Sequence, residues 1–363
     1  MNQLGAFQAF KTGSSLSSEA SAEVEKVCPF SDSSANEDQL SKQFLPQATK
    51  PHARIGGYLD CYVGRVSDPV LYGKSSSGGV GRWILSELLN AGDVTAVIQV
   101  VESFGKDPSE LLYKYSVCTT QEEVQSAGKS AYYPVELSGV VKYILEHPGK
   151  YAITGVPCFV KAIRGIARIN SVFADRVKFT VGIVCGHLKS SFYAEMIGWQ
   201  LGVHPDHLTG LDFRVKIPGK KANEKGVSAR SSANGGTNTP PKIVQEIFGT
   251  NYGHGYFKYQ ACDYCDDVLA ETADISIGDA WLPEFMSKGT SIAVVRNPRI
   301  NELVQTGITQ KRLKIDSIAA DRVADSQDAG LRHRREGLSY RLFLKSKDNQ
   351  WAPKKRVEPG TST

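Results

Sequence analysis

The chain has 363 residues, a length that predicts two domains or one large one. Hydrophobic residues make up 41% of it, a composition typical of a globular protein. No stretch approaches the ~20 uninterrupted apolar residues of a membrane-spanning helix, and the N-terminus lacks the pattern of a secretion signal. Seven cysteines are an odd number, which argues against a disulfide scaffold and for a reducing, cytoplasmic location.

The net charge of +5 is concentrated at the C-terminal end, where residues 296–363 contain seven more Lys and Arg than Asp and Glu. A basic tail can contact nucleic acid or an acidic partner. No zinc-finger, helix-turn-helix or aromatic RNA-binding signature accompanies this one. We therefore expect a solvated helix followed by a loose terminus, and nucleic-acid binding is unlikely.

The N-terminal half shows the alternation of helices and strands that α/β proteins have. Residues 1–50 are rich in Ser, Ala, Gln and Glu and predict a weakly ordered arm. A Gly/Ser run at 72–79 precedes a predicted helix over Val80–Asn90, whose apolar residues fit one helical face. Val94–Val101 then predicts a buried strand.

The same alternation continues along the chain. It predicts helices over 136–147, 159–168 and 191–201, strands over 151–154, 179–185, 274–277 and 291–295, and a loop or insertion over 219–241. The predicted fold is mixed α/β (α+β): a central sheet flanked by helices, with Cys-bearing loops and a basic helical C-terminal tail. We divide the chain into an arm (1–50), a cofactor-binding region (51–297) and a basic, mostly helical extension (298–363).

Four cysteines in turn-rich contexts are the strongest chemical signal: Cys158, Cys185, Cys262 and Cys265. The last two form a C-x-x-C pair, and the first two follow predicted strands. Four soft ligands suit structural zinc or an iron–sulfur cluster, and the residues alone leave both open. Ordinary buried thiols are the alternative, which we prefer for Cys61 and Cys118. We expect the four to converge in the folded chain.

The Gly/Ser run that opens the predicted helix is a second signal: Ser75, Ser76, Ser77, Gly78 and Gly79. Small residues before a helix N-terminus let backbone N–H groups approach an anion. The spacing matches neither of the common phosphate-loop fingerprints, so a helix cap without a ligand is an equal alternative. We expect a β-branched residue at Gly78 or Gly79 to block a ligand while barely affecting the core.

A third signal is the segment 273–281, in which a strand that carries Asp274 and Asp279 and ends at Trp281 could direct a carboxylate and an indole at a planar ligand. Strand capping and a core tryptophan are the alternative. His187 and His254 are weak candidates for proton transfer, because histidine titrates near neutral pH.

Taken together, these motifs resemble the coenzyme F420 hydrogenase/dehydrogenase β-subunit family, which is similar in architecture to 7-hydroxymethyl chlorophyll a reductase. The resemblance covers about residues 55–297. It rests on the segments 73–79, 128–132, 154–158, 185–186, 262–265, 273–281 and 289–291.

The resemblance implies an iron–sulfur flavoprotein oxidoreductase with FAD and one [4Fe–4S] cluster on Cys158, Cys185, Cys262 and Cys265. It also implies that the FAD contacts include, besides the Gly/Ser run, Lys129, Ser130, Thr154, Gly155 and Asp279. Many members begin with a ferredoxin-like segment, of which this chain has only Cys28-Pro29. Either that segment is truncated or this branch, which we take to be bacterial, has lost it.

The expected function is electron transfer between a ferredoxin-like donor or partner subunit and a small organic acceptor, of the coenzyme F420 type or unknown. A non-catalytic electron-transfer or docking subunit is the first alternative. A zinc-stabilised nucleic-acid-binding protein is the second.

Overall fold

The structure, a computed structural model, describes residues 1–9, 17–103, 110–127 and 129–361. Its strands within these ranges are β1 (Asp60–Val66), β2 (Ala96–Glu102), β3 (Tyr113–Cys118), β4 (Tyr151–Gly155), β5 (Val177–Ile183), β6 (Leu208–Val215), β7 (Gly226–Ser231), β8 (Lys242–Ile243), β9 (Ile275–Asp279), β10 (Ser291–Val295) and β11 (Leu313–Ser317). Eight of these described strands form a central sheet in the order β11-β1-β10-β9-β5-β4-β2-β3, and β6, β7 and β8 form a second sheet.

Helices cover the central sheet and connect its strands. Their bounds are α1 (Ser18–Val27), α2 (Glu37–Phe44), α3 (Pro69–Lys74), α4 (Val80–Asn90), α5 (Gln121–Ser126), α6 (Ser138–Glu146), α7 (Pro157–Ile169), α8 (Ser171–Arg176), α9 (Ser191–Gln200), α10 (Pro298–Thr309), α11 (Ala320–Ser326), α12 (Asp328–Arg334) and α13 (Glu336–Lys347). In the part of the chain that the structure describes, we find no helix that combines the length and the hydrophobicity needed to cross a bilayer.

The direction of the strands places several chain segments at one edge of the central sheet. Strands β2, β4, β5 and β9 are parallel neighbours. Strand β10 is antiparallel to both β9 and β1, so β1 runs in the same direction as β9. The C-terminal ends of these five strands therefore meet at one edge, which we call the carboxyl edge. In open α/β sheets, ligands bind outside this edge.

The mixed α/β fold predicted from the sequence is confirmed, and helix α4 shows why the local prediction worked. Its bounds are those predicted, and Trp83, Ile84 and Leu88 are buried in the main hydrophobic core. Gly79, before the helix, has a φ of +85°, a conformation that favours glycine. The apolar spacing and the terminal glycines are local signals, so the sequence alone was sufficient here.

The segment predicted as a loop or insertion at 219–241 contains strand β7, so that prediction is wrong for its central part. Strand β7 pairs with β6, and its Val227 and Ala229 pack into a core cluster with Phe213 and Tyr193. The strand consists mostly of small or polar residues, which give a weak local signal. It becomes a strand because β6 supplies a paired edge and an apolar surface.

Both terminal segments pack on the body of the protein. Residues 1–50, expected to be a weakly ordered arm, carry α1 and α2, and the Lys161 ammonium on α7 lies 3.1 Å from the Glu37 carboxylate. In the C-terminal extension, β11 joins the central sheet beside β1. The expectation of a solvated helix and a loose terminus is wrong, because Arg334 is 2% exposed and Arg356 forms ion pairs with Glu37 and Glu271. Only the fold brings these distant carboxylates to the tail.

Candidate cysteine and anion-binding site

The four candidate cysteines lie at the carboxyl edge of the central sheet. Cys158 is in the first turn of α7, directly after β4, and Cys185 follows β5. Cys262 and Cys265 lie in and just after a short 3-10 turn that precedes β9. Parallel strands β4, β5 and β9 are neighbours in the sheet, which explains how segments more than a hundred residues apart reach one place.

The four thiols lie within electrostatic range of one another. Burial raises the pKa of Cys158 well above its ordinary value, and Cys265, Cys185 and Cys262 raise it further. Burial raises the pKa of Cys185 to about 12 and that of Cys265 to about 11. The thiols are therefore protonated at neutral pH, and a metal centre would have to displace their protons to bind. The ligand role of the four cysteines stays a prediction.

Two of the four sulfur atoms have hydrogen-bond partners in the surrounding backbone. The Leu188 N–H donates a hydrogen bond to Cys262 Sγ at 3.3 Å, and Cys265 Sγ donates to the Asp267 carbonyl at 3.3 Å. Among the described residues, no group of three or more His, Cys, Asp or Glu side chains is arranged to hold a metal ion. In a [4Fe–4S] cubane each thiolate binds a different iron, so its four cysteines stand further apart than the ligands of one ion.

The other cysteines lie elsewhere. Cys61 and Cys118 are buried in two hydrophobic clusters of the core. Cys28 is exposed, but the next residue, Pro29, lines a small cavity together with Cys158, Cys265 and Lys355. The N-terminal and C-terminal segments thus meet beside two of the four candidate cysteines.

The Gly/Ser run is anchored to strand ends at the same carboxyl edge. Ser77 Oγ donates to the Thr290 carbonyl at 2.9 Å, and the Gly78 N–H donates to Ser291 Oγ at 3.1 Å. Ser75 Oγ donates to the Leu71 carbonyl at 2.7 Å. Helix α4 starts directly after this loop, and no side chain caps its N-terminus. Its first N–H groups are therefore available to an acceptor.

The two glycines of this run are required by the protein backbone itself. A Cβ on Gly78 would lie 2.4 Å from the Gly64 carbonyl oxygen, and one on Gly79 would lie 3.0 Å from Val66 and require a φ of +85°. The expectation that a β-branched residue here would barely affect the core is wrong, because Val66 belongs to the main hydrophobic core. The loop packs too closely on β1 for such a test to isolate ligand binding.

Four cations surround this loop, and three of them lie on or next to strands β6 and β7 of the second sheet. Lys129 Nζ contacts Asp212 at 2.5 Å, and Lys225 Nζ contacts Asp279 at 3.2 Å. The Arg214 guanidinium binds both oxygens of Asp279, at 2.7 and 2.8 Å. We call the following four residues the basic cluster: Lys129, Arg214, Lys216 and Lys225.

The basic cluster is held against the backbone of the Gly/Ser run. Lys216 Nζ donates to the Ser77 carbonyl at 2.9 Å, and Lys225 Nζ donates to the Ser76 carbonyl at 2.6 Å. Burial, helped by the charges of Lys129 and Arg214, lowers the pKa of Lys216 to about 8. Positive charge is thus concentrated here beyond what Asp212 and Asp279 neutralise, which favours an anionic ligand.

Three members of the basic cluster, Arg214, Lys216 and Lys225, are not predicted from the sequence, although one signal for them is present. Asp212, Arg214 and Lys216 alternate along β6 and its end, so they lie on the same side of the strand. An alternating charged strand beside a Gly/Ser loop would have been the sign to search for. Lys225 precedes β7, inside the segment that was predicted as a loop.

The remaining predicted cofactor residues divide between the two parts of the site. The Ser130 N–H donates to Ser76 Oγ at 2.7 Å, which joins Lys129 and Ser130 to the loop. Thr154 and Gly155 end β4 on the side of Cys158, and the Thr154 carbonyl accepts from Tyr115 at 2.9 Å. Gly128, part of the resemblance, lies outside the described residues.

The two candidate histidines have different surroundings. The His187 ring stacks on Tyr252 at 4.1 Å between centroids, and burial lowers the pKa of His187 to about 3, so it is neutral at physiological pH. His254 is exposed and contacts the edge of the Tyr256 ring, with 5.4 Å between centroids. His187 therefore lacks the positive charge that a proton donor near neutral pH would carry, and the role of His254 stays a prediction.

Aromatic side chains lie between the basic cluster and the cysteines. Tyr132 follows Ser130 closely in the chain, and its ring lies 5.4 Å from the Tyr252 ring. Tyr252 in turn stacks on His187 and lies over Gly186, where a Cβ would meet it at 2.8 Å. A row of packed aromatic rings thus extends from Tyr132 to the turn at Cys185 and Gly186.

Comparison with known proteins connects this site to a family. Residues 61–142 match the family model for the N-terminal part of the coenzyme F420 hydrogenase/dehydrogenase beta subunit, and residues 149–321 match the model for its C terminus. Coenzyme F420 hydrogenase subunit beta from Methanosarcina barkeri is 24% identical over 257 residues, which are 69% of this chain and 78% of that protein.

Two further proteins show the same relationship. F420-dependent formate dehydrogenase 1 subunit beta from Methanococcus maripaludis is 24% identical over 221 residues, covering 61% of this chain and 52% of that protein. A chain of the F420-reducing [NiFe] hydrogenase complex from Methanosarcina barkeri has the same fold, with a TM-score of 0.62 at 18% identity over 85% of this chain and 99% of that one. The two matched family regions cover more than half of the sequence, so this chain belongs to the coenzyme F420 hydrogenase/dehydrogenase β-subunit family.

Proposed function

We propose that this chain is a redox subunit that passes electrons between a ferredoxin-like donor or partner subunit and an organic acceptor of the coenzyme F420 type. The proposal places a [4Fe–4S] cluster on Cys158, Cys185, Cys262 and Cys265, and FAD beside the Gly/Ser run. The relatives named above are subunits of an F420-linked hydrogenase and a formate dehydrogenase.

The observation that carries the proposal is that the four candidate cysteines and the Gly/Ser run with its basic cluster lie at the same carboxyl edge of the central sheet. Four thiols in mutual electrostatic range supply soft ligands for iron. The basic cluster supplies four cations against the carboxylates of Asp212 and Asp279. A flavin dinucleotide carries a diphosphate and a planar ring, which match this surplus charge and the adjacent aromatic side chains Tyr132 and Tyr252.

The chain's own residues would hold the two groups within reach of each other. Bound FAD exchanges two electrons with an organic acceptor, whereas an iron–sulfur cluster exchanges one. Lys216 and Lys225 hold the Gly/Ser run through its carbonyl groups, and no side chain caps the N-terminus of α4 that follows it. Tyr252 packs against the Cys185–Gly186 turn and stacks on His187.

The test uses protein purified without oxygen and reconstituted with iron, sulfide and FAD. We expect flavin absorption bands together with a broad iron–sulfur shoulder, with about one flavin and four irons per chain. Cys185→Ser should lose iron. Lys225→Gln should lose flavin and keep iron, whereas Lys220→Gln, at an exposed position, should keep both.

Other results would contradict the proposal in distinct ways. A cluster without flavin would support a subunit that only relays electrons or docks a partner. Colourless protein loaded with zinc would support the zinc-stabilised class. Flavin retained in full by Lys225→Gln would remove the basic cluster from the cofactor site.

A further inference from the structure

The C-terminal extension contributes one side chain to the surroundings of the four cysteines. Arg334 is the last residue of α12 and lies beyond residue 321, where the family match ends. It is 2% exposed. One terminal nitrogen of its guanidinium donates to the Cys185 carbonyl at 3.2 Å and also to the Gly186 carbonyl. The guanidinium is therefore fixed against the turn that carries a candidate ligand.

The Nε–H of Arg334 is buried and has no hydrogen-bond partner among the described residues. Leaving a buried charged donor unpaired costs more free energy than leaving a neutral one unpaired. Native structures therefore rarely contain such a group unless a ligand or water supplies the acceptor. The unpaired Nε–H indicates an acceptor that the described part of the chain does not provide.

The charge of Arg334 acts on all four thiols. The Arg334 guanidinium lies within electrostatic range of Cys158, Cys185, Cys262 and Cys265. An arginine guanidinium stays protonated in proteins. Arg334 therefore remains a cation, and it favours negative charge on the sulfurs around it.

We propose that Arg334 raises the reduction potential of the cluster by donating its Nε–H to a cluster sulfur and by offsetting the charge of the four thiolates. This inference rests on the proposed function. In the reduction step the ferredoxin-like donor loses one electron and the cluster gains it, with no bond formed or broken. The reduced cluster carries one more negative charge, so the guanidinium stabilises it more than the oxidised form.

The test compares midpoint potentials of the reconstituted full-length chain, measured by redox titration with electron paramagnetic resonance of the reduced cluster. Arg334→Gln should lower the equilibrium constant for one-electron reduction at least tenfold, which is a potential about 59 mV more negative. Arg334→Lys keeps the charge but lacks Nε–H, and it should fall between Gln and wild type. Arg332→Gln is the matched control, since that side chain is 66% exposed and should leave the potential unchanged.

The outcomes separate this inference from the proposed function. A wild-type chain that takes up no iron and sulfide contradicts both. A wild-type cluster whose potential is the same in Arg334→Gln overturns the role of Arg334 alone. If Arg334→Gln fails to fold or holds no iron, Arg334→Lys decides: a potential more negative than wild type supports the inference, and an equal one overturns it.

Discussion

Asp279 provides a direct test of how the anion-binding half of the site works. The sequence suggests that this carboxylate contacts the cofactor, whereas the structure places it between Arg214 and Lys225. The three side chains are 14%, 9% and 9% exposed, so the ion pairs are nearly dry. In this arrangement Asp279 positions Arg214 and Lys225, and both of its carboxylate oxygens are paired with these cations.

Replacing Asp279 with Asn keeps the shape and removes the charge. Removing one partner of a buried ion pair costs ~3–5 kcal/mol, and the Asn oxygen still accepts one hydrogen bond, so we expect about 3 kcal/mol. With an unfolding entropy near 2.1 cal/mol/K per residue, this is about a 4 °C decrease in Tm for the 363-residue chain without FAD. Asp316→Asn, on the exposed side of β11, should change Tm by less than ~1 °C.

The effect on FAD binding should have the opposite sign. A carboxylate ~6–8 Å from an anion repels it by about 2–3 kcal/mol at an effective dielectric constant near 20. Asp279→Asn should therefore bind FAD about 30- to 150-fold more tightly, as measured by quenching of flavin fluorescence. Unchanged thermal stability together with weaker FAD binding would refute this reasoning and restore Asp279 as a direct cofactor contact.

Three further predictions follow from particular contacts. The pKa of Lys216 is lowered to about 8 in the free protein, and a bound anion would raise it, so FAD binding should take up a proton. The affinity for FAD should therefore fall as pH rises from 8 to 10. An affinity that does not change with pH, or a pH dependence that Lys216→Gln retains, would contradict this. Arg356→Ala should reduce the free energy of unfolding in urea by ~3–5 kcal/mol, because it leaves Glu271 buried without this partner. Lys354→Ala, at an exposed position, is the control and should reduce it by less than ~0.5 kcal/mol. Gly64→Ala should lower the free energy of unfolding by ~1–3 kcal/mol in the same assay, because its Cβ would lie 2.3 Å from the Lys314 carbonyl oxygen on β11. A stability equal to that of the wild type would show that β1 and β11 separate easily.

The sequence by itself determined the features that depend on neighbours in the chain. Apolar spacing with glycines at both ends specified α4 from Val80 to Asn90, as found. The cysteines that follow β4 and β5 were expected at strand ends, and the parallel sheet places them at one edge. The order of the motifs also sufficed to predict the family, which the comparisons confirm.

Tertiary structure alone decided which charges are paired and which are buried. In the sequence, Arg334 and Arg356 look like members of a solvated basic tail, and Lys225 looks like part of a loop. In the folded chain, Arg334 lies against the Cys185 turn, and Arg356 reaches Glu271. The physical reason is that a local pattern shows which residues are apolar, whereas the free energy of a charge depends on partners and burial supplied by segments that are distant in the sequence.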